Sequence, residues 1–314
     1  MEIAAPSLPV TAGGKSSPGW RAVLLATAAL LSLPVLVIIA SLALPFSETW
    51  GHIAENVLWD YTRNSLLLAL GVSLGTLLLG VSSAWLTAMC EFPGRRFFSW
   101  ALLLPMAMPA YIIAYTYTGL LDFAGPVQGA LRDAFDWGYG DYYFPPIRSL
   151  GGAICMLSLV LYPYVYLLAR VAFEEQSTAL LEASRSLGRG PWRTLFEVAL
   201  PMARPAIAAG LSLALMEALA DYGTVDYFGV SVFTTGIFRT WYGLGELQTA
   251  AQLAAFLLLF VFALLVLERA SRRNMRFHNA TVRQQPPRLG LSGWRGLCCF
   301  LVYMRVSDFR SWRR

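Results

Sequence analysis

Two acids four residues apart, Glu217 and Asp221, with Tyr222 beside them, are the side chains best placed for chemistry in this sequence. On a helix that spacing puts both carboxylates on one face. They fall where a membrane helix reads as ending on its outer side, and a helix C-terminus disfavours negative charge. Acids held there in a low-dielectric setting need a cation or strong donors. Two readings follow. One is a transient oxygen-ligand site for a hard cation, with Tyr222 as a further ligand. The other is a structural pair satisfied by the amides of the Gly223–Thr224 turn or by an arginine.

The remaining chemical inventory is thin. The only lysine, Lys15, sits in Gly13–Gly14–Lys15–Ser16, which copies the end of a phosphate-binding loop. The leading glycine of such a loop would fall at Pro9, and no strand precedes it, so nucleotide hydrolysis is not expected of this chain. His52 and His278 fall on opposite sides of a membrane, which leaves no triad or HExxH arrangement. Cys90, Cys155, Cys298 and Cys299 lack zinc-type spacing. No catalytic residue, cofactor or stable metal site is expected.

The elements that position these residues are membrane helices. Of 314 residues, 57% are hydrophobic and 14% charged, against about 25% charged in soluble domains, and mean hydropathy is +0.54. The apolar residues come in six blocks, roughly 22–45, 64–89, 97–121, 149–172, 203–222 and 248–267. Each is near the ~20 residues a spanning helix needs. The alternating ten-residue segments of a β-barrel do not occur. The expected fold is all-α, a polytopic bundle of about six transmembrane helices. The first block exceeds the ~7–15 apolar residues of a secretory signal, so it reads as an uncleaved span.

Of the 24 lysines and arginines, all but Arg63, Arg132, Arg148 and Arg239 fall on one side if both termini are cytoplasmic. The positive-inside rule selects that orientation. The net charge of +5 is spread between and after apolar blocks rather than over one soluble face, which argues against nucleic acid. The chain divides into a tail over 1–20, a membrane domain over 21–270 and a basic tail over 271–314. Outer residues 137–146 are aromatic-rich and read as an interfacial belt or a docking surface. Pro34, Pro105, Pro109 and Pro163 predict kinks; Pro105 and Pro109, with Tyr111, Tyr115 and Tyr117, suit a helix bent around a pathway.

The most polar inner connection runs from 174 to 204. It reads as helix, break, helix: Leu180 to Leu187 favour a turn, and Gly188 and Gly190 allow the positive φ that ends it. Pro191 suits the first turn of a second short helix presenting Trp192, Leu195 and Phe196. Pro201 and Pro205 are expected to break the chain before the next span. Within the connection stand Glu182, Ala183, Ser184 and Gly188, then nine residues, then Val198, Leu200 and Pro201.

That spacing resembles the "EAA" loop of ABC importer permeases, with Ser184 in place of the second alanine and Val198 in place of isoleucine. The resemblance implies that the loop is a coupling helix seated in a groove on a separate ATPase subunit. Gly188 would make the turn, Glu182 would anchor, and Arg185, Arg189 and Arg193 would make rim contacts. It also implies two ATPase copies, a periplasmic substrate-binding protein, a second permease half and a bacterial inner membrane. Residues 217–229 and 233–241 look like the ferric-iron branch, which implies iron as cargo and Glu217, Asp221 and Tyr222 as pathway residues. Thiamine, sulfate and putrescine permeases share related patterns here.

Ferric-type permeases are usually fused duplicates with two such loops, whereas this sequence has one. Residues 296–304 resemble the start of a seventh span that turns charged after a few residues. A truncated first half, or a half-size subunit pairing with itself or another chain, is expected. A secondary transporter driven by an ion gradient is a competing reading that gives no reason for the loop spacing; a non-transporting membrane scaffold or a fragment without activity is a third.

Overall fold

In lipid, an apolar run of this length has one stable option, a helix that closes its own backbone hydrogen bonds. The computed structural model describes residues 18–138, 140–176, 186, 188, 190–272 and 289–290. Its membrane helices are α1 (Pro18–Ala40), α3 (Leu58–Met89), α7 (Leu150–Glu174), α9 (Leu200–Ala220) and α12 (Leu247–Arg272). Between them stand α2 (Glu48–Asn56), α4 (Arg95–Ala101), α5 (Ala110–Leu121), α6 (Pro126–Phe135), α8 (Pro191–Thr194), α10 (Gly223–Tyr227) and α11 (Phe233–Phe238). Strand among the described residues is limited to Cys90–Glu91 (β1) and Leu289–Gly290 (β2), paired in parallel. Among the described residues, five helices are long and apolar enough to cross a membrane, and a sixth crossing exists if the bent pair Arg95–Ala107 and Ala110–Phe135 counts as one.

The third expected span, 97–121, is therefore a broken element, bent by 99°. The break falls at Pro105 and Pro109, where two N–H donors are missing. Tightening of the chain there frees carbonyls. Leu103 N–H bonds Trp100 and Met106 N–H bonds Leu103, so the carbonyls of Ser99 and Leu102 lose their α-helical donors. Helix α7 supplies replacements. Tyr162 Oη donates to Leu102 O at 2.9 Å, and Tyr166 Oη donates to Ser99 O at 3.0 Å. Arg170 Nη1 adds a 3.3 Å bond to Ser99 O. Residues 162, 166 and 170 recur at one-turn spacing, so a single face of α7 carries all three donors.

The centre of the bundle is α3, α7 and α9. A β-carbon on Gly71 would meet the Ile154 side chain at 2.7 Å, one on Gly75 would overlap Ser158, and one on Gly80 would lie 2.7 Å from Val165. The partners advance in step, so α3 and α7 run parallel, as two helices both descending from the outer side must. Small residues in such a stripe let membrane helices approach closely. The inner half of this core gathers Trp85, Phe98, Tyr166, Phe173, Leu195 and Ala203. The outer half gathers Leu68, Val72, Met156, Leu157, Ala214 and Phe228.

Helix α1 is exposed along its length and is held mainly at its outer end. There Gln252 Nε2 on α12 donates to Ser41 O at 3.2 Å and Leu44 O at 3.3 Å. Gln248 Nε2 donates to Pro45 O at 2.7 Å.

The fifth span differs from expectation at its inner end. Pro201 and Pro205 do not break the chain: the helix runs continuously from Trp192 to Ala220. A π-helical turn, Leu195–Ala199, absorbs the defect, with Leu200 N–H bonding Leu195 O five residues back. Pro201 and Pro205 follow in the first turns of α9, continuous with the π turn.

Two consequences are measurable. Tyr162→Phe leaves the buried Leu102 carbonyl without its donor, a loss of about 1–3 kcal/mol, and lowers the thermal unfolding midpoint in detergent. Gly75→Val drives a side chain into Ser158 and sharply reduces the yield of monodisperse protein on size-exclusion chromatography, while Gly51→Val, at an open position, leaves it unchanged.

Candidate functional site

The inner connection is best understood from its root. Phe173, in the last turns of α7, is fully buried and receives the edge of Trp85 at 5.5 Å and 83°. Leu195, Ala199 and Ala203, on the returning limb, pack into the same cluster. Gln176, two residues past the end of α7, turns inward and is 5% exposed. Its Nε2 donates to Ala199 O at 2.8 Å, tying the departing limb to the returning one. Because the partner is a carbonyl, the amide nitrogen must face it, which settles the carboxamide's orientation.

Beyond this root the described residues turn outward. Gly188 has φ +72°, and nothing lies within 4 Å of where a β-carbon would stand, so it occupies the left-handed region that favours glycine on an open surface. Trp192 and Phe196 are one turn apart and 70% and 61% exposed, which makes an apolar face of the returning limb. Arg193 is exposed beside them, while Val198, Leu200 and Pro201 are half-buried at the root. Glu182, Ala183, Ser184, Arg185 and Arg189 lie outside the described residues. Neither Gln176 nor Phe173 stands out in the sequence pattern. An amide placed just past the last apolar turn of a span is the signal that marks such a tie.

At the outer end of α9 the acid pair is split by its surroundings. Asp221 Oδ1 accepts from Thr224 N–H at 2.9 Å and Val225 N–H at 3.2 Å. Its Oδ2 accepts from Thr224 Oγ1 at 3.1 Å. Asp221 thereby ends α9 and caps α10, so the positive end of the next helix offsets the unfavourable end of its own. Burial pushes its carboxyl above the usual carboxylate range; the Val225 and Thr224 donors pull the other way, and neighbouring Glu217 adds to the rise. Glu217 itself is exposed. The Tyr222 ring stacks on Phe238 at 4.0 Å.

The broken third span reaches this place. A β-carbon on Gly223 would meet Tyr111 Cβ at 3.1 Å, and Tyr115 packs edge-on against Tyr227 at 5.9 Å. The bend at Pro105 and Pro109 thus brings α5 against the turn after α9. Among the described residues no three His, Cys, Asp or Glu side chains gather as a metal site would require, and neither Cys90 nor Cys155 forms a disulfide.

Comparison with known proteins places this architecture. The molybdenum transport system permease protein ModB of Escherichia coli K12 is 30% identical over 176 residues, covering 55% of this chain and 74% of ModB. The Fe(3+)-transport system permease protein FbpB 2 of Haemophilus influenzae is 28% identical over 199 residues; the match covers 63% of this chain but 35% of that longer protein. The fold is similar to that of a crystallised bacterial ABC transporter involved in the import of the acidic polysaccharide alginate. That likeness has a TM-score of 0.63 at 18% identity, over 82% of this chain and 96% of the other. Residues 76–277, which contain α7, the inner connection and α9, match the family of binding-protein-dependent transport system inner membrane components, and the chain belongs to that family.

Proposed function

We propose that this multi-pass membrane protein is the permease subunit of an ATP-driven importer in a bacterial inner membrane, with its inner connection as the element that an ATPase subunit moves. The observation that carries the reading is the contrast within that connection. Its root is buried and tied, whereas Gly188 and the Trp192–Phe196 face are open to a partner. An apolar helix face with Arg193 at its edge is the chemistry of a helix laid in a groove. Glu182, Ala183 and Ser184 complete the motif, with Arg185 and Arg189 as further rim contacts. Two ATPase copies, a periplasmic binding protein and a second permease half complete the machine, since one half cannot enclose a pathway. Hydrolysis belongs to the ATPase, not to this chain.

For the cargo, the pattern over 217–241 and the ferric-iron relative favour ferric iron. In that reading Glu217 is the available carboxylate, because the oxygens of Asp221 already accept three donors. The same saturation favours a second reading, a small oxyanion such as molybdate, a common soluble form of the element that the name of ModB denotes, for which an acid pair is not a ligand.

Affinity purification of the whole chain tests the coupling reading: the ATPase subunit co-purifies with wild type. Gly188→Val forces a branched side chain into the left-handed region at about 1–2 kcal/mol and lowers ATPase recovery, with membrane insertion intact. Recovery of no ATP-hydrolysing partner with wild type rejects the reading. The cargo readings separate in proteoliposomes. Glu217→Gln with Asp221→Asn abolishes uptake of radiolabelled ferric iron if the acids bind it, and Asn preserves the α10 cap. Normal iron uptake by the double variant, or uptake of molybdate instead, rejects the iron site.

A further inference from the structure

The amide that ties the root of the inner connection is only half satisfied. Gln176 Oε1 is buried and has no hydrogen-bond partner among the described residues, although Nε2 is bonded to Ala199 O at 2.8 Å. A buried amide with an unmet acceptor is costly and calls for an explanation. The segment it grips is unusual as well. Leu195–Ala199 is π-wound, a form that appears mostly as single turns and often at functional sites. Just beyond it, Pro201 and Pro205 withhold two N–H groups from the ladder. With those donors missing, the helix's own hydrogen bonds specify its register weakly here. The Gln176 carboxamide is a donor from outside the helix that selects one register at the carbonyl it binds.

We propose that Gln176 is a positioning residue for energy coupling, fixing the returning limb of the inner connection to the end of α7. This rests on the reading of the connection as the ATPase-driven element. With the tie in place, a displacement of the Gly188 turn must carry α7 and α9 together, because both limbs are pinned at Gln176 and packed around Phe173. Without it, the π turn can change register and take up the displacement locally. The push is then lost before it reaches the outer end of α9.

The test uses the full transporter reconstituted with its ATPase and binding protein. Gln176→Met keeps side-chain length and apolar packing but removes the donor. The expected result is normal co-purification of the ATPase and normal basal hydrolysis. Uptake per ATP hydrolysed falls at least tenfold, measured with whichever of molybdate or ferric iron the wild type carries. A loss of packing alone would lower complex yield and hydrolysis together rather than their ratio to uptake. In parallel, nitroxides at exposed Glu175 and Met202 report the root directly in the Gln176 protein. Their separation stays constant between nucleotide-free and ATP–vanadate states. Wild-type uptake per ATP in Gln176→Met overturns the proposal. So does a change of about one helical turn, ~5.4 Å, between the labels with Gln176 present, and this second measurement decides even if the variant fails to assemble. Failure of the ATPase to bind wild type overturns the coupling reading itself, a different and recognisable outcome.

Discussion

Every freed backbone carbonyl in this bundle must find a donor at membrane depth, where water is not available to supply one. In the broken third span Pro105 and Pro109 create the demand. Much of the supply comes from α7. Tyr162, Tyr166 and Arg170 serve the carbonyls of Leu102 and Ser99, while just past α7 Gln176 adds a donor to the carbonyl of Ala199. Both irregular elements are thus tied to α7 and the residues just after it by side-chain donors. At the 99° bend the carbonyls of Ser99 and Leu102 stay hydrogen-bonded.

Close approach is the condition for that stitching. Tyrosine reaches a neighbouring backbone only if the helices are near, and the α3–α7 contact is near because Gly71, Gly75 and Gly80 face it. In lipid such packing replaces the hydrophobic drive that gathers helices in water. The buried polar groups and the small-residue stripe are therefore two parts of one solution. The glycines set the spacing, and the hydroxyls and amides use it.

The helices are legible in the sequence because a spanning run is long and uniformly apolar, and the bend is legible because two prolines four apart remove neighbouring donors. The short helices α2 and α6 are not. They have nine and ten residues, lie between spans, and carry no long apolar run to mark them. Pro201 and Pro205 mislead in the opposite direction. A proline near a loop ordinarily ends a helix, but here a π turn stands just before Pro201 and the helix continues through it. No local pattern in the sequence signals that turn. At the outer site, the acid pair is visible as a spacing, and the alternative of capping by the Gly223–Thr224 turn is visible beside it. Which donors Asp221 takes is decided by the chain folding back into α10, which spacing alone does not encode.

The two ends of α9 share a physical logic. At the inner end an amide from outside the helix holds the carbonyl of Ala199. At the outer end a carboxylate at the helix terminus holds the amides of the next helix. Between them the helix from Trp192 to Ala220 has 29 residues, roughly 44 Å at ~1.5 Å per residue, which exceeds a bilayer core of ~30 Å. A continuous helix of that length transmits displacement along its axis, because compressing it would break the ladder. The surroundings at each terminus therefore govern how far a movement at one membrane face is felt at the other. The inner tie is a neutral hydrogen bond beside a π turn, while the outer cap uses three donors on one carboxylate. Of the two, the inner end is the easier to release, and it is the one adjoining the segment that faces outward from the buried root.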